Sequence, residues 1–266
     1  MTFETLLLGT APGTEEAEGV QVLTLNRPAT LNAMNTRMME ELRAALHALA
    51  YRDGLRVLVL TGAGPRAFCA GGDLKERQGM TDHAWRRQHQ LAEEAVLAVK
   101  DFPQPVIAAV EGIAHGGGFD LALMCDFIIA ARNADFALPE AKRGILPGGG
   151  GIQNLVRAAG MRRAKQLIFC GDRFSGETAA GWNIVNEAVE PGQALAAAVG
   201  IARRIAESAP MAIHYGKLAA SRGGEVDFHT GYMLDLAAYN VLVSSSDRLE
   251  GVRAFNERRK PRWSGS

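Results

Sequence analysis

Phe68-Cys69-Ala70-Gly71-Gly72-Asp73-Leu74 and His115-Gly116-Gly117-Gly118-Phe119-Asp120 decide how this chain folds, and Leu138-Pro139-Glu140 completes them. Lacking a Cβ, glycine lets a backbone N–H come close to a ligand and opens backbone conformations that other residues avoid. Two such turns can aim two N–H donors at one oxygen. Asp120 and Glu140 then supply carboxyl groups able to move protons on the carbon skeleton attached to that oxygen. Preorganised donors placed where negative charge develops, together with two proton carriers, suit the formation of an enolate.

Each turn also has a plain structural reading. An apolar strand over 57–60 closes at Thr61-Gly62 and a loop leads to Ala70-Gly71-Gly72. That turn is either a strand-to-helix junction needing positive φ, with Asp73 capping a helix begun by Leu74-Lys75-Glu76, or a turn that offers the Gly72 N–H to a ligand. The second turn lies between a buried strand, Val106–Val110, and a short helix marked by Leu121, Met124 and Cys125. Three successive glycines cost more chain entropy than an ordinary turn requires. Free N–H groups at a helix start suit a developing anion, which favours a ligand-facing role. Taken singly, Asp120 reads as a first-turn helix acid and Glu140 as a surface-loop carboxylate. No G-x-G-x-x-G or G-x-x-x-x-G-K-[ST] pattern lies between strand and helix, so neither a dinucleotide nor a Walker phosphate loop is indicated.

Outward from these turns, strand and helix patterns alternate. Val20–Leu25, Phe127–Ala131 and 136–138 read as further strands, and Met38, Met39, Leu42, Ala45, Leu46 and Leu49 fall at helical spacing. From about Gly150 helical patterns take over, at 152–159, 163–169, 177–180, 194–208, 211–221, 226–243 and 248–258. This describes an α/β core over 1–200 and a helical region over 201–266. With 266 residues, 47% of them hydrophobic, the chain can bury a large core. Lys+Arg and Asp+Glu are both 29, so nothing suggests nucleic-acid binding through phosphates. Cys69, Cys125 and Cys170 have no disulfide or zinc spacing and read as reduced thiols. Glu4, Glu15, Glu16 and Glu18 speak against a transit peptide, and no run of about 18 apolar residues suggests a membrane span. The expectation is a cytoplasmic protein with no metal site.

Asn26-Arg27-Pro28, Leu31-Asn32-Ala33-Met34, the two glycine turns, Pro105-Val106-Ile107-Ala108-Ala109-Val110, Pro139-Glu140 and Gly144-Ile145-Leu146-Pro147-Gly148-Gly149-Gly150 occur in order. So do Gly171-Asp172-Arg173-Phe174-Ser175 and Asp247-Arg248-Leu249-Glu250-Gly251. Across nearly its whole length the chain resembles the enoyl-CoA hydratase/isomerase (crotonase) superfamily. The resemblance implies a ClpP/crotonase-like spiral of β-β-α units with a C-terminal helical trimerisation region, in a homotrimer or a hexamer of paired trimers. It implies an acyl-CoA substrate, with coenzyme A part of that substrate and no separate cofactor. Gly72 and Gly117 match the oxyanion-hole donors, Glu140 the main acid/base that protonates the α-carbon, and Asp120 the second acid that holds or deprotonates water. Lys75, Arg66 and Ala70 match positions near coenzyme A. Phe255 and Arg258 match positions that reach a neighbouring subunit's coenzyme A. Residues 79–85 and the segment after Gly144 are expected to wall the acyl pocket.

The chain departs from the pattern in two places, at Asp120 and at Ala29-Thr30. Hydratases of the family carry Glu where this chain has Asp120, one methylene shorter. Dienoyl-CoA isomerases share the Asp-then-Glu pair but use a further Asp where Gly148 stands here. Ala29-Thr30 replaces a frequent coenzyme A-binding lysine. His115 reads as a half-buried histidine with satisfied bonds. The activity implied is addition of water to a 2,3-unsaturated acyl-CoA. The alternatives are double-bond isomerisation, thioester or C–C hydrolysis on the same scaffold, and a catalytically idle scaffold or RNA-binding relative.

Overall fold

A computed structural model describes residues 2–13, 15 and 18–266, which leaves Glu16 of the N-terminal acidic residues outside the described set. The main sheet holds β1 (Leu6–Thr10), β2 (Val20–Leu25), β3 (Val57–Gly62), β5 (Val106–Val110), β7 (Phe127–Ala131) and β10 (Glu187–Val189), in that spatial order. All neighbours are parallel except β1 and β2. A smaller sheet holds β4 (Ala67–Cys69), β6 (Ile113–His115), β8 (Asp135–Ala137) and β9 (Phe174–Ser175).

The chain visits the two sheets alternately. β3, β5 and β7 lie in the main sheet, and each is followed within a few residues by β4, β6 or β8 in the smaller one. A helical segment then returns the chain: α2 (Leu74–Arg77) and α3 (Asp82–Lys100) after β4, α4 (Gly117–Met124) after β6, and α5 (Gly151–Cys170) after β8. Successive units stack as a spiral. Parallel neighbours need such crossovers, which cover both sheet faces.

Burial on both faces explains the apolar runs. Leu58 and Leu60 of β3 join the core shared with α1 (Thr36–Ala50), whereas Val57 and Val59 face Ala198, Val199 and Ala202 of α7 (Ala194–Ala206). In β5, Val106, Ala108 and Val110 point to the first core and Ile107 and Ala109 to the second. Residue 200 therefore lies within a helix that covers the sheet. α8 (Pro210–Gly223), α9 (Phe228–Val243) and α10 (Ser246–Asn256) follow, and neither α8 nor α9 buries a large apolar side chain.

Several elements match the sequence reading closely: β2, β5 and β7 have the expected bounds, and β8 sits one residue earlier than 136–138. Gly160 adopts φ 75°, ψ 157° inside α5, which separates the two helical segments expected there. β1, the short strands β4 and β6 of the smaller sheet and the 19-residue helix α3 were not anticipated.

The two sheets meet where α4 crosses β4. A Cβ on Gly118 would fall on the carbonyl oxygen of Cys69, a backbone atom that cannot swing aside. Gly118→Ala should therefore force α4 off β4. Overpacking of this kind costs about 1–3 kcal/mol, read as a lower thermal-unfolding midpoint. A variant as stable as the parent would show that the approach is looser than described.

Candidate active site

β4 and β6 run parallel with Cys69 opposite Ala114, so the turns that leave their ends emerge side by side. Gly71 takes φ 99° and Gly116 φ 52°, both in the region that favours glycine. A Cβ on Gly71 would stand 2.8 Å from the His115 carbonyl oxygen and 3.4 Å from the Gly117 amide nitrogen. A Cβ on Gly117 would stand 3.7 Å from the Gly72 amide nitrogen. The two amides are thus neighbours. The Met34 N–H donates to the Gly71 carbonyl (2.8 Å) and the Asp73 N–H to the Met34 carbonyl (2.9 Å). These bonds pin the chain on either side of Gly72 and leave its own N–H without an acceptor among the described residues. Gly117 opens α4, where an N–H has no partner inside the helix.

Asp73 caps α2 by accepting from the Lys75 and Glu76 amides, and its carboxylate pairs with Arg27 at 2.9 Å. The first turn therefore serves both readings the sequence left open. It is a strand-to-helix junction, and it presents a free amide.

Asp120 lies one turn into α4 and is only 1% exposed. Its Oδ2 accepts the Gly149 N–H at 3.0 Å. Its Oδ1 has no hydrogen-bond partner among the described residues, although the Gly151 amide is close enough to act on its charge. Glycines close over this carboxyl: a Cβ on Gly151 would overlap Oδ1, and one on Gly149 would come within 2.9 Å of Oδ2. Glu140 sits in the 3-10 turn Pro139–Arg143, and its Oε1 lies 2.5 Å from where a Gly116 Cβ would stand. Its Oε2 also lacks a partner.

Burial sets the acidity of both groups. It pushes the Asp120 carboxyl from its ordinary 3.8 up to about 7; the Gly149 N–H pulls the other way and the nearby Glu140 charge adds to the rise. Burial also raises Glu140, against the opposing pull of a backbone hydrogen bond and the Arg143 charge. Carboxyls removed from water without full hydrogen bonding hold their protons more tightly.

A cleft of about 510 Å³ brings Ala70, Gly72, Gly117, Asp120 and Glu140 together. Met34, Met39, Ala92 and Val96 give it an apolar wall. Of the expected pocket walls, Trp85 alone from 79–85 lines the cleft, with Ile145, Leu146, Gly148 and Gly149 beyond Gly144. Lys75 and Arg66 lie outside the lining, both exposed, and Arg66 donates to the Pro28 carbonyl at 3.0 Å. Phe255, on α10, is 84% exposed, and Arg258 just beyond the helix is exposed too; in the single chain neither borders the cleft. His115 is half-buried, its Nε2 3.2 Å from Asp135 Oδ2 but without the alignment of a hydrogen bond. The expected bond satisfaction at that nitrogen is therefore missing.

Sequence reasoning missed Arg77, His89 and the Gly149 amide. Arg77 and His89 line the cleft from α2 and α3. Thr81 as a cap, with Ala92, Ala95, Val96 and Val99 at helical spacing, was the signal that could have revealed α3. The Gly149 donor is a backbone group and carries no side-chain signature. Among the described residues no cluster of three or more His, Cys, Asp or Glu is placed to hold a metal ion, and no helix is long and apolar enough to cross a membrane.

A two-sheet spiral with paired glycine amides and two buried carboxyls defines a crotonase-fold protein. A family model described as enoyl-CoA hydratase/isomerase matches residues 15–266, and the chain belongs to that family. It is 40% identical over 252 residues to the mouse mitochondrial protein named enoyl-CoA hydratase domain-containing protein 2, covering 93% of this chain and 85% of that one. Identity to mouse mitochondrial methylglutaconyl-CoA hydratase is 38% over 255 residues, covering 94% and 81%. A crystal structure of an enoyl-CoA hydratase from Bacillus anthracis superposes with a TM-score of 0.95 at 40% identity, covering 99% of this chain and 100% of that one.

The raised pKa of Asp120 has a measurable cost. Between about pH 4 and 7 the native protein holds a proton that the unfolded chain releases, so stability falls as pH rises through that window. Asp120→Asn removes this titration. Its thermal midpoint should gain on the parent from pH 4 to 7 and level off above; a difference independent of pH would show that Asp120 ionises without strain.

Proposed function

We propose that the protein adds water across the 2,3 double bond of an enoyl-CoA thioester. The observation that carries this reading is the meeting of two glycine amides, unpartnered among the described residues, with two buried carboxyls in one mostly apolar cleft. The reading is supported by family membership and by relatives named as hydratases.

In this mechanism the thioester carbonyl oxygen accepts from the Gly72 and Gly117 N–H groups. As the oxygen of water bonds to C3, the π electrons move toward the carbonyl and negative charge gathers on its oxygen. Donors already in place there need no reorganisation, and one such donor is worth roughly 2.7–4 kcal/mol. Glu140, protonated, gives its proton to C2. Asp120, ionised, takes the proton that water loses, and its return to Glu140 closes the cycle. Water ends as a hydroxyl on C3 and a hydrogen on C2, with no net change of charge. With Asp120 titrating at about 7, both forms of the group are populated near neutral pH, as an acid/base requires. The shorter Asp120 side chain, fixed by the Gly149 amide, leaves room for the water.

Lys75, Arg66 and Ala70 are the proposed coenzyme A contacts within the chain, and Phe255 and Arg258 are proposed to act on a neighbouring copy. A trimer or a pair of trimers, joined through 201–266, goes with this. α9 supports it: Phe228 is 78%, Met233 70% and Tyr239 65% exposed, on a helix rich in apolar residues. An apolar surface of this kind belongs against a partner. Location in the cytoplasm belongs to the same proposal, alongside relatives that are mitochondrial.

Crotonyl-CoA provides the test. The enzyme should abolish its conjugated-enone absorbance, and Glu140→Gln should lose at least about 10²-fold in kcat while still binding the thioester. Turnover close to the parent's would remove Glu140 from the mechanism, and an absorbance gain from a 3-enoyl-CoA without crotonyl-CoA hydration would mark an isomerase. For the assembly, Phe228→Glu with Met233→Glu should lower the mass measured by analytical ultracentrifugation; an unchanged mass would place the interface elsewhere.

A further inference from the structure

Arg77 lines the cleft with no carboxylate in direct contact among the described residues, although the charge of Glu76 acts on it from further off. Arg77 ends α2, and its guanidinium lies flat beside the glycine turn: Cζ is 3.1 Å, and Nη1 and Nη2 are each 3.2 Å, from where a Gly72 Cβ would stand. The group is held on two sides. Its Cζ lies 4.7 Å from the centre of the Trp85 ring, and Nε donates to Gln88 Oε1 at 2.8 Å. Gln88 is itself fixed, donating to Glu76 Oε2 (2.7 Å) and Thr36 Oγ1 (2.9 Å).

Among the described residues no hydrogen bond or ion pair reaches the Nη edge. Glu76, the adjacent acid, turns its Oε2 to Gln88 and to the Thr36 N–H at 2.9 Å, so it favours the Arg77 cation by its charge and not by a direct bond. Glu93, which also lines the cleft, pairs with His89 at 3.1 Å. Among the described residues no carboxylate lies within ion-pair distance of Arg77. A half-buried charge without a partner is costly, and an apolar acyl chain would do nothing to relieve it. A planar fork with one edge anchored and the other free is suited to a carboxylate, which it can bind through two parallel N–H bonds.

We propose that Arg77 selects acyl-CoA substrates that carry a second carboxylate a few carbons beyond the thioester. The site's chemistry is thus directed to monothioesters of short dicarboxylic acids. Arg77 is a specificity residue that takes no part in proton transfer. This inference deepens the hydratase reading and rests on the acyl group occupying the same cleft.

The anion that meets Arg77 could instead be a phosphate of coenzyme A, so the test compares ligands that share that part. Glutaryl-CoA and butyryl-CoA are saturated and differ only by a carboxylate in place of one hydrogen of the terminal methyl. By calorimetry the wild-type protein should bind glutaryl-CoA at least tenfold more tightly. Arg77→Met should bring the ratio of the two Kd values to about one, whatever the absolute affinities, and Arg77→Lys should keep a smaller preference of the same sign. Equal or weaker binding of glutaryl-CoA by the wild type, or a preference that survives Arg77→Met, overturns the proposal; a phosphate contact would weaken both ligands alike and leave the ratio unchanged. Turnover is read separately, with crotonyl-CoA and glutaconyl-CoA. Failure of the wild type to hydrate either one sinks the hydratase reading, while the binding ratio still decides the role of Arg77.

Discussion

The approach of α4 to the end of β4 is the contact on which the rest of the site depends. Gly118 has no side chain, so the helix can lie directly on the Cys69 carbonyl. Gly71, in the turn that leaves β4, lies against the carbonyl of His115 on the neighbouring strand in the same way. These two backbone-to-backbone contacts set the separation of the turns and so make the Gly72 and Gly117 amides neighbours. Any side chain at these points would widen the gap by an atom's diameter. Both amide positions follow from main-chain packing, so the arrangement is as rigid as the sheets that carry it.

That rigidity carries the cost of burying two carboxyls. Asp120 Oδ1 and Glu140 Oε2 are among the few buried side-chain polar atoms without a hydrogen-bond partner. A fold optimised only for stability would pair them or replace them. The apolar strands offset the strain, since β3 and β5 are buried on both faces and add to two separate cores. The run Gly149-Gly150-Gly151 shows how local the arrangement is. It supplies the Gly149 N–H to Asp120, and its backbone closes over the carboxyl where side chains would not fit, which brings the group out of water with the Gly151 amide only near enough to act on its charge.

What could be read from the sequence divides along the same line. β2, β5 and β7 were legible because strands covered on both faces become apolar runs, and the two turns because repeated glycine has few uses. Asp120 and Glu140 were legible from the family pattern, being unremarkable alone. α3 was hidden by Gln, His, Glu and Arg along its cleft and solvent faces, which mask the stripe of Ala92, Ala95, Val96 and Val99. Arg77 was hidden for a different reason. A cation on a four-residue helix reads as solvated, and only the fold brings Trp85 and Gln88 from α3 around it. The Gly149 donor could not be read from residue type, because every residue but proline has that N–H.

The architecture separates the parts of the cleft that polarise a carbonyl from those that choose what is attached to it. The amides are main-chain groups at the ends of parallel strands, and substitution in the cleft walls leaves them in place. The walls come from Met34, α1, α2, α3 and the segment 145–149, elements joined to the sheets through loops. Arg77 belongs to this second set although it stands beside Gly72, because its position is fixed by Trp85 and Gln88 rather than by the turn. Asp120 belongs to both, since its backbone is part of α4 and its carboxyl is oriented by the Gly149 amide of the wall. A change in 148–151 therefore alters acidity as well as shape, whereas a change at Arg77 acts on charge recognition with the carbonyl-polarising amides left in place.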